Sequence, residues 1–247
     1  MPTVQVCDRP FHHIEAIVFD KDGTLAHTEP YLVQLAQKRS RLIDAQVPGV
    51  QDPLQMAFGL EGTALNPAGM MAVASRGECE VAAAGFIAET GKPWIEALTL
   101  ARSAFQEADG YLAPKCAHTP LLEGVGDLVR SLAAHPIRLA ILSSDTTENV
   151  EAFVRQHGLG DCIALSRGVE GLLSKPDPRL LLSVCETLRV APSATLMVGD
   201  SEADIQMAIA AQVAGAIGVT WGWQRRMQLP SAQIEVMRPD QIQPVEP

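Results

Sequence analysis

From about residue 124 onward, short aliphatic runs alternate with segments of helical period, and this alternation constrains the fold more than any other feature of the chain. The runs are Ile137–Leu142, Cys162–Leu165, Thr195–Val198 and Ala216–Val219. Helical patterns flank them at Gly124–Ala134, Thr146–His157, Asp177–Leu188 and Glu202–Val213. Strands buried on both faces read as continuous apolar runs, and regular strand–helix alternation produces parallel crossovers. A fifth run, Ile14–Phe19, reads as a strand of the same sheet and ends abruptly at Asp20. The expected fold class is α/β, with a Rossmann-like parallel-sheet core covered by helices on both faces.

Residues 30–118 break the alternation. Tyr31–Gln46, Gly77–Glu89 and Pro93–Ala108 read as helices, Asn66-Pro67 as a further helix start and Gly91 as a C-cap, with no convincing strand between them. A connection this long between two sheet elements forms a subdomain rather than a loop. The expected organisation is a core of residues 1–29 and 119–247 with an inserted all-helical unit at 30–118.

Composition limits the function. There are 29 acidic and 19 basic residues, a net charge of −10, which argues against nucleic acid or an anionic membrane as partner. Apolar residues make up 47% and charged residues 19%, a globular balance. Five scattered cysteines, none in a C-x-x-C pair, fit a reducing cytoplasm and no zinc set. No transmembrane run or signal-peptide pattern is visible. The oligomeric state is not legible, and the segment after Trp223, including Ile234–Met237, shows no readable partner surface.

Ligands of open α/β sheets bind at the carboxyl ends of the strands, so the residues just past each strand carry the chemistry. The first strand ends in Asp20-Lys21-Asp22-Gly23-Thr24, two carboxylates two residues apart before a glycine. Like charges crowd there, which a merely structural turn does not need. The second strand ends in Ser143-Ser144-Asp145, a hydroxyl that can hold an oxyanion, or equally a helix N-cap. Lys175, in Ser174-Lys175-Pro176-Asp177-Pro178, either brings a positive charge to the strand ends or faces solvent. Gly199-Asp200-Ser201-Glu202-Ala203-Asp204 again gathers carboxylates where a strand meets a helix. Carboxylate oxygens with little His or Cys suit a hard cation such as Mg²⁺.

Together the four segments resemble, in order and spacing, the motifs of the haloacid dehalogenase superfamily of hydrolases: Asp-x-Asp-Gly-Thr, a strand-end serine, Lys-Pro-x-Pro and Gly-Asp-Ser-x-x-Asp. Val219-Thr220-Trp221-Gly222 also looks like this family. The resemblance runs from about Ile14 to Gly222, and the helical insertion looks like the family's type-one cap, as in phosphoglycolate phosphatases and β-phosphoglucomutases. It implies that Asp20 attacks phosphorus to form an aspartyl-phosphate and that Asp22 works as acid and base. It further implies that Mg²⁺ is held by Asp20, Asp200 and the main-chain carbonyl of Asp22, with Asp204 close by. Ser143 and Lys175 would hold the phosphoryl oxygens. Gly23, Thr24, Ser144 and Arg76 are expected at the substrate.

Two positions depart from the pattern. Lys21 stands where the family more often has an apolar residue and is expected to face solvent. Arg179 replaces a frequent acidic residue and is expected at the surface. Arg76 either clamps a carboxylate or second phosphate, or is solvated while Met70 and Met71 fill the core of the cap. His27 and Glu29 lie where the chain enters the insertion, as hinge residues or ordinary linker.

Within the family, the dehalogenase and phosphonate-cleaving branches lack the second carboxylate, so Asp22 argues for phosphate esters. The expected function is a Mg²⁺-dependent, cytoplasmic phosphatase of a small anionic phosphorylated metabolite. A sugar phosphomutase is the alternative, and a catalytically idle binding relative is the alternative from another class. The insertion carries −2 and the core −8 of the charge, so a metal-free site is expected to repel its own substrate.

Overall fold

The computed structural model describes residues 2–169 and 173–245. The chain opens with two short strands, β1 (Thr3–Val6) and β2 (Arg9–Phe11), followed by β3 (Ala16–Phe19). Next come α1 (Glu29–Asp44), α2 (Gln51–Phe58), the strands β4 (Leu60–Glu61) and β5 (Ala64–Leu65), α3 (Met70–Val73), α4 (Arg76–Glu89) and α5 (Trp94–Tyr111). The alternating half comes next, as α6 (Val125–Ala133), β6 (Arg138–Leu142), α7 (Thr147–Gln156), β7 (Ile163–Arg167) and α8 (Pro178–Leu188). It continues with β8 (Thr195–Gly199), α9 (Glu202–Ala210), β9 (Gly215–Val219), β10 (Ile234–Val236) and β11 (Ile242–Val245).

The main sheet has the order β10-β9-β8-β3-β6-β7, with every neighbouring pair parallel. The expected α/β architecture is therefore present. β3 lies inside it, paired with β6 on one side and β8 on the other, and all four of its residues are buried. Its side chains alternate between two layers. Ile17 and Phe19 pack with residues of α6 and α7, Ala16 and Val18 with residues of α8 and α9.

Two small features escape the alternation. Ile234–Val236 adds a sixth strand parallel to β9, in a segment without a readable surface in the sequence. β1 pairs antiparallel with both β2 and β11, so the two chain ends share a three-stranded sheet.

Between Glu29 and Tyr111, helices form their own apolar cluster around Leu35, Ile43, Leu54, Phe58, Ile87 and Phe105. Ser75 and Glu78 close a capping box at the start of α4. The block is not all-helical: β4 and β5 form a hairpin after Gly59, which ends α2 in the left-handed region at φ 85°. Asn66-Pro67 starts no helix. The Asn66 side chain instead takes the amide of Ala68 in a turn at 3.0 Å. The amide of Asn66 is tied to the carbonyl of Gly59 at 2.8 Å, which pins this segment to the hairpin.

Entry to and exit from this block run side by side. His27 N–H donates to the carbonyl of Pro120 at 2.8 Å, Leu122 N–H to that of Leu25 at 3.0 Å, and Ala26 bridges Leu121. No helix among the described residues is long and apolar enough to cross a membrane. All five cysteines are free.

Candidate active site

The carboxyl ends of β3, β6 and β8 converge at the centre of the sheet. Asp20 comes directly after β3, and its amide donates to the carbonyl of Val198 at 2.9 Å, which holds the residue in register. Lys175 Nζ donates to Asp20 Oδ1 at 2.6 Å and to Asp204 Oδ1 at 2.7 Å, all three groups buried. Of the two readings left open for Lys175, the one at the strand ends is the one the geometry realises. Asp204 is fixed by the start of α9, where its Oδ2 accepts from the Ser201 hydroxyl at 2.6 Å in a capping box. Asp200 accepts from the Thr24 hydroxyl at 2.8 Å on Oδ1 and from the Trp223 indole N–H at 2.6 Å on Oδ2.

Asp20, Asp200 and Asp204 bring carboxylate oxygens within 4.8 Å of one another, all buried. Burial above all, then repulsion from Asp204 and Asp22, pushes the Asp20 carboxyl up to about 6 despite Lys175. Burial, then repulsion from Asp20 and Asp204, pushes Asp200 well above the usual carboxylate range. Burial opposes the charge on Lys175, but Asp20 and Asp204 outweigh it and raise its pKa. Three carboxylates thus face one ammonium, an excess of two negative charges. An all-oxygen donor set with that excess fits a hard divalent cation.

Asp22 sits in a second charge cluster beside the first. Lys21 Nζ donates to Asp22 Oδ1 at 2.5 Å and lies 3.2 Å from Asp145 Oδ2. Lys115 Nζ donates to Asp22 Oδ2 at 2.9 Å and to Asp145 Oδ2 at 2.6 Å. The expectation that Lys21 faces solvent is corrected: it is 1% exposed, because Asp22 and Asp145 compensate its charge inside the protein. Burial raises the Asp22 carboxyl, but Lys115 and then Lys21 outweigh it and hold it below the ordinary carboxylate value. Asp145 is held low in the same way, with Lys115 the strongest opponent of burial.

Sequence reading missed Lys115, Trp223 and the role of Asp145. Lys115 lies 93 residues from Asp22, on the chain's return from the helical block, where no motif flags it. Asp145 reads as one of several helix N-cap candidates, while the N-cap of α7 is Thr146. A lysine between the two aspartates is the one available signal, since a buried cation needs a distant anion.

The remaining expected residues lie around or beyond these two clusters. Ser143 is buried after β6, and its hydroxyl accepts from Asp145 N–H at 3.2 Å. Gly23 adopts φ 84°, and a Cβ there would collide with the Asp200 carboxylate and the Trp223 indole. Thr24, expected at the substrate, is fully buried and donates its hydroxyl to Asp200 instead. Ser144 and Arg76 line a cavity of about 730 Å³ between core and helices, with Asp22, Lys115, Arg39 and Tyr31 also in its wall. Asp20, buried, is not in the wall of this cavity.

Arg76 is neither freely solvated nor unpaired, since it bonds Glu80 at 2.8 Å and also pairs with Asp109. Arg39, buried, pairs with the same Asp109 at 3.0 Å, and its Nε has no partner. Met71 is buried in the cluster of the helical block and Met70 packs against it. Glu29 is buried at the entry to the block, and Arg179 is exposed and paired with Asp177. A larger groove of about 1130 Å³ between α6 and β11 carries none of the expected catalytic or metal residues.

A strand-end carboxylate on a parallel sheet, a lysine bridging it to a neighbouring strand's acid and a second carboxylate two residues on define a hydrolase of phosphoryl-transfer type. The family model for haloacid dehalogenase-like hydrolases matches residues 14–212, and the chain belongs to that family. It is 28% identical over 221 residues to a phosphoglycolate phosphatase of Synechococcus elongatus, covering 89% of this chain and 90% of that protein. It is 27% identical over 194 residues to the N-acetylmuramic acid 6-phosphate phosphatase of Pseudomonas putida, covering 78% and 77%. A solved Haemophilus somnus protein, described as a predicted phosphoglycolate phosphatase, superposes with a TM-score of 0.68 at 20% identity, covering 90% and 94% of the two chains. A haloacid dehalogenase family hydrolase of Deinococcus radiodurans, solved with phosphate and sodium, superposes at 0.58 with 18% identity, covering 92% of each.

Proposed function

We propose that this chain is a cytoplasmic, Mg²⁺-dependent phosphatase that hydrolyses a small phosphomonoester carrying a second anionic group. Asp20 is the nucleophile, core residues 1–29 and 119–247 hold the phosphoryl group, and residues 30–118 form a cap over the leaving group. The observation that carries this reading is the buried Lys175 bonded to both Asp20 and Asp204 beside Asp200.

Asp20, Asp200 and Asp204, with the Asp22 carbonyl, would hold Mg²⁺. When bound, Mg²⁺ supplies positive charge that shields the incoming phosphate from Asp20 and stabilises charge on the phosphoryl oxygens. The Asp20 carboxylate attacks phosphorus as the ester P–O bond breaks, and Asp22, which takes up a proton once the bound ester draws Lys21 and Lys115 away from its oxygens, delivers that proton to the departing alkoxide. Asp22 then takes a proton from water, which attacks phosphorus and frees Asp20 and inorganic phosphate. Lys175 and Ser143 hold the phosphoryl oxygens in a buried site, where such donors act most strongly.

The second anionic group is supported by the cations around the cavity. Arg39 and Arg76 both pair with Asp109, Arg76 also with Glu80, and Lys115 lines the same cavity. Phosphoglycolate and N-acetylmuramic acid 6-phosphate, named in the relatives, both carry a carboxylate beside the phosphate.

Phosphate release from p-nitrophenyl phosphate and from a panel of phosphomonoesters tests the reading. Asp20→Asn is expected to abolish release. Arg76→Ala is expected to raise KM about 10-fold for carboxylate-bearing esters and leave p-nitrophenyl phosphate unchanged. Isomerisation of a sugar phosphate primed by a bisphosphate, without hydrolysis, would identify a mutase instead. Inertness toward every ester, with no Mg²⁺ binding, would leave a binding relative.

A further inference from the structure

We propose that Trp223 is a positioning residue through which the seating of the cap sets the grip of Asp200 on the metal; this rests on the Mg²⁺ reading above. Trp223 comes after β9 and so belongs to the core chain. Its ring nevertheless joins the apolar cluster of the cap, with only 8% of the residue exposed. Its indole N–H reaches the other way, to Asp200 Oδ2 at 2.6 Å. One rigid side chain therefore touches both the interior of the cap and a carboxylate of the metal cluster.

Asp200 is held at both oxygens. Thr24, a core residue, fixes Oδ1, and Trp223 fixes Oδ2. Two donors on opposite oxygens set the rotation of a carboxylate about its Cβ–Cγ bond, and removing one frees that rotation. Gly23 leaves room for this contact, since any side chain there would strike both Asp200 and the indole. Trp221, two residues earlier, donates its indole N–H to the Thr24 carbonyl at 2.9 Å, so both tryptophans brace the same carboxylate, one directly and one through Thr24.

The chain around Trp223 is fastened to the cap by further bonds. Gln224 N–H donates to Glu29 Oε2 at 2.9 Å, and the other oxygen of Glu29 accepts from Leu65 N–H at 3.1 Å. Glu29 is 1% exposed and spends both oxygens on these two amides, one from the core loop and one from the cap hairpin. A filler tryptophan would need none of this. Displacement of the cap carries the indole with it and loosens Asp200; by thermodynamic reciprocity, a metal that draws on a well-oriented Asp200 steadies the cap.

The test is Mg²⁺ binding by titration calorimetry, with magnesium chloride alone and no substrate, on the wild type, Trp223→Phe and Glu29→Gln. Amide hydrogen exchange of the wild type with and without Mg²⁺ accompanies it. Trp223→Phe keeps an aromatic ring, a smaller one, and loses the donor, and its Mg²⁺ affinity is expected to fall about 10- to 100-fold. Glu29→Gln touches no proposed metal ligand and is expected to weaken Mg²⁺ binding several-fold through the cap. In the wild type, exchange at Leu65 and Gln224 is expected to slow when Mg²⁺ is added, a readout independent of any variant's folding. Affinity of Trp223→Phe within twofold of the wild type overturns the proposal. So does a weak Trp223→Phe with normal Glu29→Gln and unchanged exchange, which confines the tryptophan to the metal site. A wild type that binds no Mg²⁺ overturns the metal reading and this proposal with it.

Discussion

Lys21 illustrates how far one residue's environment can depart from its position in a motif. Its ammonium is enclosed with Asp22, Asp145 and Lys115 in an alternating ring of charges. Removing one member leaves the others uncompensated, which is costlier than replacing a pair. Lys21→Met is expected to destabilise the protein by about 3 kcal/mol in urea unfolding, and adding Asp145→Asn to recover part of that loss. Strict additivity of the two changes would mean that they do not interact. A second expectation concerns Asp20 and Asp200, both raised by burial and by repulsion from neighbouring carboxylates. A carboxyl raised from 3.8 to about 6 gives stability that is fully present below its unfolded value and lost as pH rises through about 6. Metal-free protein should therefore melt higher at about pH 5 than at about pH 8, while Asp22 and Asp145, held low, stay ionised over that window. Mg²⁺ should flatten the difference by compensating the same charges; a metal-free melting temperature that rises with pH would contradict the cluster. The four motif aspartates and Lys175 were legible because strand ends on a parallel sheet converge. Lys115 and Trp223 were not: Lys115 lies in a segment with no period or motif of its own, and Trp223 falls one residue past the Val219–Gly222 tetrad.

At the scale of elements, legibility tracked length and burial. The five expected strands lie in the main sheet, since continuous aliphatic runs admit few other uses. β10, β1, β2 and β11 are only three or four residues long, too short to carry a readable period, and β1 finds one of its partners, β11, at the other end of the sequence. Of the helices between residues 30 and 118, α1, α4 and α5 were legible by period; the eight-residue α2 and the β4–β5 hairpin were not, because such short elements carry little or no period. The start of α4 has a measurable role of its own. Glu78 closes the capping box with Ser75 and also accepts from the Ser174 hydroxyl at 2.9 Å, beside Lys175. Glu78→Ala is expected to lower stability by about 1 kcal/mol in chemical denaturation. An effect below about 0.3 kcal/mol would show that this exposed box contributes nothing measurable.

For the whole molecule, charge is the controlling quantity. The chain carries −10, and the site concentrates Asp20, Asp22, Asp145, Asp200 and Asp204 against Lys21, Lys115 and Lys175. A phosphomonoester entering without a divalent cation meets a net negative field. Phosphate release should collapse in EDTA and return with added Mg²⁺; undiminished turnover in thoroughly chelated buffer would refute the mechanism. The placement of β3 between β6 and β8 has a further consequence, for the order in which the molecule is made. The strand that leads into Asp20 is synthesised early, yet both its partners come after the whole cap. Until they arrive its apolar residues have no sheet to join, while α1, α4 and α5 can already pack through contacts nearer in sequence. On refolding from denaturant, pulse-labelled exchange should therefore protect α4 and α5 amides before Ile17 and Val18. The chemistry would then be the last part of the molecule to come together, and the cap would close over a core still waiting for its middle strand to be paired.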